Sequence, residues 1–305
     1  LRNLRRAGEI MANEKEIQDR RKSIQDTMKI TNAMYLISSS KLKRAKNVLG
    51  NTEPYFYGIQ SAIARVLRHV PDMKHEFFNK RPEKAKEDRR IGVIVVTADK
   101  GLAGAYNHNV IKLAEEELKK TGQKKLYVLG IVGQQYFGKK SEVDMDPDFH
   151  YNIQKPSLHQ AREISELVVD SYLEKELDEV RIIYTRVINA VQMETVVQEL
   201  LPLEKKEVLE EIPLDMHREI ITMYPSPEIV LDHIIPNYLT GLIYGCLVEA
   251  YASEHNSRMM AMQSATDNAK EMLRDLEIQY NRARQASITQ EITEVIAGAK
   301  AQKRE

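Results

Sequence analysis

MMAMQSATDNAKEMLRDLEIQYNRA, residues 259–283, decides how this chain is organised. Its Met259, Met262, Thr266, Ala269, Leu273, Leu276, Tyr280 and Ala283 recur at intervals of 3, 4, 3, 4, 3, 4 and 3 residues. Residues so spaced form one stripe down an α-helix, and a stripe kept up this long faces a second helix in a coiled coil. Thr266 is its one polar member. The same count puts Ser287 and Gln290 on the stripe, so the helix is expected to continue after its apolar face has faded. From about Asn237 to Ala297 it would have roughly 60 residues and reach on the order of 90 Å.

The partner helix is at the other end of the chain. From Glu14 to Leu49 there is no Gly or Pro, and two seven-residue rows run through Ile10, Ile17 and Ile24, then Met28, Tyr35, Leu42 and Leu49. The four-residue step from Ile24 to Met28 is what two rows of one seam require. Gly50 and Pro54 are expected to interrupt this helix, with a continuation to about Val70 before Pro71. Two helices separated by a whole domain pair antiparallel, because the inserted domain holds their inner ends together. The 36 residues from Glu14 reach only about 54 Å, so the end of the C-terminal helix should overhang. That end is YNRARQASITQEITEVIAGAKA (280–301), where Ile288, Ile292, Val295, Ile296, Ala297 and Ala299 would form an apolar surface without an intrachain partner.

Between the two helices the pattern changes. A charged, Pro-marked linker, PDMKHEFFNKRPEKAKEDRR (71–90), leads to IGVIVVTA (91–98), a continuous β-branched run that reads as a buried parallel strand. A Gly-containing turn and the helix pattern NHNVIKLAEEELKK follow. KLYVLGIVG repeats the strand signal, SLHQAREISELVVDSYLEKE the helix, and EVRIIYTRVIN and METVVQELLPL supply two more strands. The fold class is therefore α+α/β, a long antiparallel coiled coil with an inserted small α/β, Rossmann-like domain. The expected boundaries are a coiled-coil helix over 11–70, a linker over 71–90, the α/β domain over 91–212 and the second coiled-coil block over 213–305. Met11-Ala12 looks like an alternative start, so residues 1–10 read as a mis-called or non-native extension.

Composition narrows the function classes. Charged residues make up 30% of the 305, but 45 basic and 45 acidic side chains cancel, so no global field marks a nucleic-acid binder. Residues 1–50 are the exception, with twelve Lys or Arg against five Asp or Glu. The longest uncharged run, Ile234 to Val248, has 15 residues and contains Pro236, Gly241 and Gly245, short of the roughly 20 apolar residues a membrane span needs. A lone Cys246 inside that run reads as a core thiol in a reducing compartment.

No constellation carries chemistry. TADKGLAGAYNHN (97–109) sits between strand and helix, where phosphate loops occur, yet its Gly101 and Gly104 match neither the dinucleotide nor the P-loop pattern, so a structural turn is expected. KLKRAK (41–46) is a basic helical patch without interleaved aromatics, better suited to an acidic protein surface than to nucleic acid. The eight His are scattered with no metal-ligand spacing, no cofactor is implied, and Met259, Met260 and Met262 read as seam filler. The residues alone describe a non-enzymatic interaction protein, and an adaptor with a fixed partner fits them.

Longer segments narrow this further. RRKSIQDTMKITNAM, SSSKLKRA, VVTADKGLAGAYNHNV, YASEHNSRMMAMQSATDNA and YNRARQASITQEITEVIAGA, in that order from about Ile17 to Ala301, resemble the signature segments of the gamma-subunit family of F-type ATP synthases. The resemblance implies a central rotor shaft inside an alpha/beta hexamer, with the α/β domain as its foot beside the epsilon subunit and the membrane c-ring. Proton or sodium-ion flow would turn it. It would be a non-catalytic subunit, peripheral at the cytoplasmic face of the bacterial plasma membrane. By the same resemblance Arg284 and Gln285 match the pair that grips a catch loop of beta, with Thr289 and Gln290 one turn further on. Lys29, Ile30, Thr31 and Met34 match the segment near the lever regions of beta. Lys41, Lys43 and Arg44 match the basic cluster below it, and Tyr224 falls where the foot meets the ring. Ser38-Ser39-Ser40 and Ala103 depart from the family's usual Ala-rich stretch and frequent Cys.

Overall fold

The computed structural model describes residues 2–149, 151, 153–189, 192–210 and 222–302, the side chains of 2–13, 207, 210, 298, 301 and 302 being left out of the description. Ile10 of the expected seam, the 1–10 extension as a side-chain feature and the expected 212/213 boundary lie outside the described parts. Six α-helices and four strands are described: α1 Arg2–His69, β1 Arg90–Val96, α2 Tyr106–Leu118, β2 Gln123–Leu129, α3 Ile131–Phe137, α4 Leu158–Leu173, β3 Glu179–Val187, β4 Met193–Leu201, α5 Lys205–Glu210 and α6 Pro227–Gln302. They divide into two compact units, residues 1–37 with 259–305, and residues 38–258. The division cuts through both long helices, so the inner half of each belongs with the sheet and not with a separate coiled-coil domain.

In the larger unit the strand order is β2-β1-β3-β4, with β1 parallel to β2 and β3, and β4 antiparallel to β3 at the edge. Central β1 explains why its sequence does not alternate. Ile91, Val93 and Val95 pack with Val110 and Ala114 of α2 on one face, while Ile94 and Val96 join a second core with α4 and the long helices on the other. A strand covered on both sides needs apolar residues at every position. KLYVLGIVG divides at Gly130: the strand ends at Leu129, and Ile131-Val132-Gly133 opens α3 instead of extending it. Gly130 has φ +88°, and a Cβ there would lie 2.2 Å from the Thr97 carbonyl oxygen, so only glycine makes this turn.

The helix boundaries depart from the sequence reading in both directions. α1 runs through Gly50 and Pro54 without a break. Pro54 removes the hydrogen bond to the Gly50 carbonyl, but both residues are exposed, so water can serve that carbonyl. α6 begins at Pro227, ten residues before the expected Asn237, and Pro236 lies inside it. Ser226 precedes it, its hydroxyl accepting from Ile229 N at 3.4 Å, with Pro at the first helical position and Glu228 in the first turn: a start signal that Pro236 obscures. With α1 starting at Arg2, the helices have 68 and 76 residues. The expected overhang therefore does not follow from helix length.

The uncharged run 234–248 is a helix buried on most sides. Ile235, Leu239, Ile243 and Leu247 are at most 1% exposed, packed in one core with Ile63, Ala64 and Leu67 of α1 and with β3, β4 and α4. At Gly241 the α1 side chain Phe56 packs close, a Cβ at that position falling 2.0 Å from Phe56 Cδ1.

The expected linker 71–90 is part of the fold. Met73 and Phe77 are buried, and Arg81 is only 4% exposed. Its guanidinium donates to the Leu177 carbonyl at 2.6 Å, to Asp178 Oδ1 at 2.7 Å and to the Tyr172 carbonyl at 2.7 Å, and stacks over the Tyr172 ring. Asp178 also accepts from Lys84 and from the Arg90 backbone N–H. Of the charges in this segment, Arg81 forms a buried pair with Asp178, which lies outside it.

Two outcomes follow. Gly241→Ala should destabilise the chain by about 1–3 kcal/mol through overpacking against Phe56, read as a lower urea midpoint, with the loss reduced in a Phe56→Leu background. Burial disfavours the Asp178 carboxylate, but the Arg90 N–H, Lys84 and Arg81 outweigh it and hold its pKa at about 2 against an ordinary 3.8. Its stabilisation is thus complete above about pH 4 and lost as pH falls toward 2. Asp178→Asn should cost about 3–5 kcal/mol at neutral pH by stranding buried Arg81, with a shallower acid limb in the unfolding profile.

Candidate partner-binding surface

In the smaller unit, the stripe expected on α6 from spacing is sheltered throughout, at Met259, Met262, Thr266, Ala269, Leu273, Leu276, Tyr280, Ala283, Ser287 and Gln290, and Ala261 and Ala265 are sheltered beside it. On α1, Ile17, Ile24 and Met28 are sheltered as expected, and so are Arg21 and Thr31. Thr31 Oγ1 lies 2.8 Å from Thr266 Oγ1, with both residues under 9% exposed. Arg21 reaches Glu277 at 3.6 Å and lies over the Tyr280 ring at 5.2 Å. Rising numbers on α1 meet falling numbers on α6, so the two segments run in opposite directions. The polar interruption at Thr266 thereby has its explanation: it is satisfied by a second threonine.

Thr31 therefore belongs to the inner seam and not to an outward surface. The row Ile17, Ile24, Thr31, Ser38, Ala45 is continuous in burial, the last three at 8%, 1% and 4% exposed. Sequence reading lost it after Ile24 because Thr, Ser and Ala carry little hydrophobic signal. Leu42 and Leu49 are half-buried in the larger unit. The serines at 38–40, unusual for the resemblance, are small enough for such a seam.

Of the remaining expected surface residues, Lys29 and Ile30 are exposed, Ile30 at 62%, and Lys29 is paired with Asp26 at 2.9 Å. Met34 and Lys41 are half-buried, while Lys43 and Arg44 are exposed. Leu36 and Ile37, which the sequence reading did not single out, are 60% and 57% exposed and widen the apolar face around Ile30. Arg284 and Gln285 are exposed, between the sheltered seam residues Ala283 and Ser287. Thr289 donates to the Gln285 carbonyl, and Gln290 to Glu294. Beyond them Ile288, Ile292, Val295 and Ile296 are 46–72% exposed. Tyr224 is 89% exposed.

The loop after β1 is built inward. Asp99 accepts from Ile131 N at the start of α3 and from Ile153 N, so a carboxylate of the chain itself occupies the helix N-terminus. The carbonyls of Lys100 and Gly101 accept from the Arg258 guanidinium at 3.1–3.3 Å. Arg258 also pairs with Glu254 at 2.6 Å and contacts His255 Nδ1 at 3.2 Å. Burial, with Lys41 and Arg258 nearby, lowers the His255 pKa to about 3, so it is neutral at ordinary pH. Phosphate loops present N–H groups to an anion; these carbonyls face a cation of α6. Among the described residues no group of His, Cys, Asp or Glu is placed to hold a metal ion, and no helix is long and apolar enough to cross a membrane.

Comparison with known proteins places the chain in a family. Residues 13–302 match the model of a family described as ATP synthase. The ATP synthase gamma chain of Acetivibrio thermocellus is 42% identical over 298 residues, covering 96% of this chain and 100% of the relative. That of Ruminiclostridium cellulolyticum is 44% identical over 292 residues, covering 95% and 98%. Among solved structures, a chain of the Euglena gracilis mitochondrial ATP synthase covers 95% of each with a TM-score of 0.62 at 17% identity, a likeness of fold. Matched along nearly its whole length by sequence and by fold, the chain belongs to the ATP synthase gamma-chain family.

Proposed function

We propose that the chain is the central rotor shaft of an F-type ATP synthase, coupling ion-driven rotation of the membrane c-ring to conformational cycling of the catalytic beta subunits. Full-length kinship with ATP synthase gamma chains carries this reading. The geometry supports it: the two helices satisfy each other along one seam as an antiparallel coiled coil, and their outward faces keep groups that bind without being permanently engaged.

Arg284 suits the catch role because a guanidinium can form a bidentate bond to a beta carboxylate in one rotary position and release it in the next. Gln285, Thr289 and Gln290 extend that polar surface. Exposed apolar residues from Ile288 to Ile296 form a low-charge tip within a collar of alpha and beta subunits. Lys29, Ile30 and Met34 face the levers of beta, with Met34 as an adaptable thioether contact, and Lys41, Lys43 and Arg44 meet acidic surface below. Thr31 acts from within, by fixing the seam. The α/β domain is the foot, beside epsilon and the c-ring, with Tyr224 on the ring side. The chain then sits at the cytoplasmic face of the bacterial plasma membrane as a peripheral subunit and performs no chemistry itself.

In the assembled enzyme, Arg284→Ala with Gln285→Ala should lower coupled ATP synthesis at least about tenfold, equivalent to about 1.4 kcal/mol, with the isolated chain unfolding at its original temperature. Undiminished synthesis removes both residues from the catch role. A cross-link from the foot to a stationary subunit should stop turnover; continued turnover favours a fixed adaptor.

A further inference from the structure

Between α1, α6 and the β3/β4 face of the sheet lies a cavity of about 290 Å³. It lies at the small end of the roughly 300–1,000 Å³ that ligand sites span, room for one side chain and not for a nucleotide. Its walls are largely aromatic, with Phe56, Tyr184, Tyr238 and Tyr244, and among the described residues its charged members are Glu53 and Glu249. No Lys, Arg or His lines it among the described residues.

Glu249 is the anomaly. Its Oε2 is buried and has no hydrogen-bond partner, and among the described residues neither it nor Glu53 forms an ion pair. Arg186, whose charge acts on Glu249, is engaged by Glu194 at 2.8 Å. Burial raises the Glu249 pKa, Arg186 opposing and Glu53 reinforcing the effect. A buried oxygen left unpaired costs about 1–3 kcal/mol. Gly245, in the same wall, is a second departure: nothing lies within 4 Å of the Cβ it lacks, yet glycine inside a helix costs about 1 kcal/mol against alanine. Both departures leave a cavity open and negative.

We propose that this cavity is a docking socket for a basic side chain, lysine or arginine, presented by a neighbouring subunit, with Glu53 and Glu249 as its counter-charges and the aromatic walls as its cation–π lining. Desolvated cation–π contacts are worth about 2 kcal/mol, and a charged partner satisfies the oxygen the chain leaves unpaired. The proposal rests on the chain's working inside a multi-subunit assembly, but the site can be tested on the full chain alone.

The probe is N-acetyl-arginine amide, with N-acetyl-citrulline amide as its uncharged isostere. The arginine probe should shift tyrosine ring resonances of the full chain saturably and the citrulline probe should not. Glu53→Gln with Glu249→Gln should weaken the response about tenfold or more. Gly245→Leu, which fills the cavity without touching the carboxylates, should abolish it. Equal responses to both probes, no response, or an unaltered response in both variants overturns the socket. Glu249→Gln alone should leave the melting temperature unchanged or higher; a fall shows that the carboxylate serves the chain's own fold and overturns the proposal. In the assembled complex, the double Gln variant should release a companion subunit at lower salt than the parent. Retention at the parent's salt concentration, with the probe responses intact, assigns the cavity to a free small cation and overturns docking by a partner. Every arm on the isolated chain is indifferent to whether the assembly turns, so its failure is distinct from failure of the rotor reading.

Discussion

Burial of the first half of α6 is the constraint on which the rest depends. Residues 231–252 pack against α1, α4, β3 and β4 in a single core, so one helix must be apolar around much of its circumference there. Fully burying each Leu or Ile contributes about 1.5–3 kcal/mol. The same helix then continues to Gln302, where a single sheltered stripe replaces all-round burial. This switch, from many apolar contacts to one seam, is also where the chain divides into its two units.

The polar groups that remain inside are spent on joining elements distant in sequence. Arg81 fixes the 71–90 segment to the end of α4 and the start of β3. Arg258 fixes α6 to the loop after β1. Each is bonded to backbone carbonyls as well as a carboxylate, the condition under which a buried cation is tolerated. In a subunit that transmits torque, such ties resist sliding of a helix over a sheet better than non-directional apolar contact does. Thr31 and Thr266 are the milder equivalent within the helix pair, fixing register where flanking residues are apolar.

The outward surfaces follow the opposite rule. Arg284 and Gln285 are exposed, and Lys29 is held only by a surface pair of the kind worth little in water. A rotor contact must form and release at every step, which suits groups already solvated. Glu249 differs, one carboxyl oxygen being buried and unpaired, which suits a contact that stays made.

The sequence by itself determined the α6 stripe, the four strands, the helices α2 and α4 of the α/β unit and the absence of phosphate-loop spacing, because each is a local periodicity or motif. It missed the row through Thr31, Ser38 and Ala45, since small residues carry no periodic signal, and it ended helices at Pro54 and began one after Pro236, since proline is a local breaker that packing overrides. Nothing in the sequence singled out Arg21 or Arg81. Only the tertiary structure decided that one lies against Tyr280 and that the other is buried on Asp178, because satisfying a charge depends on what long-range folding brings beside it.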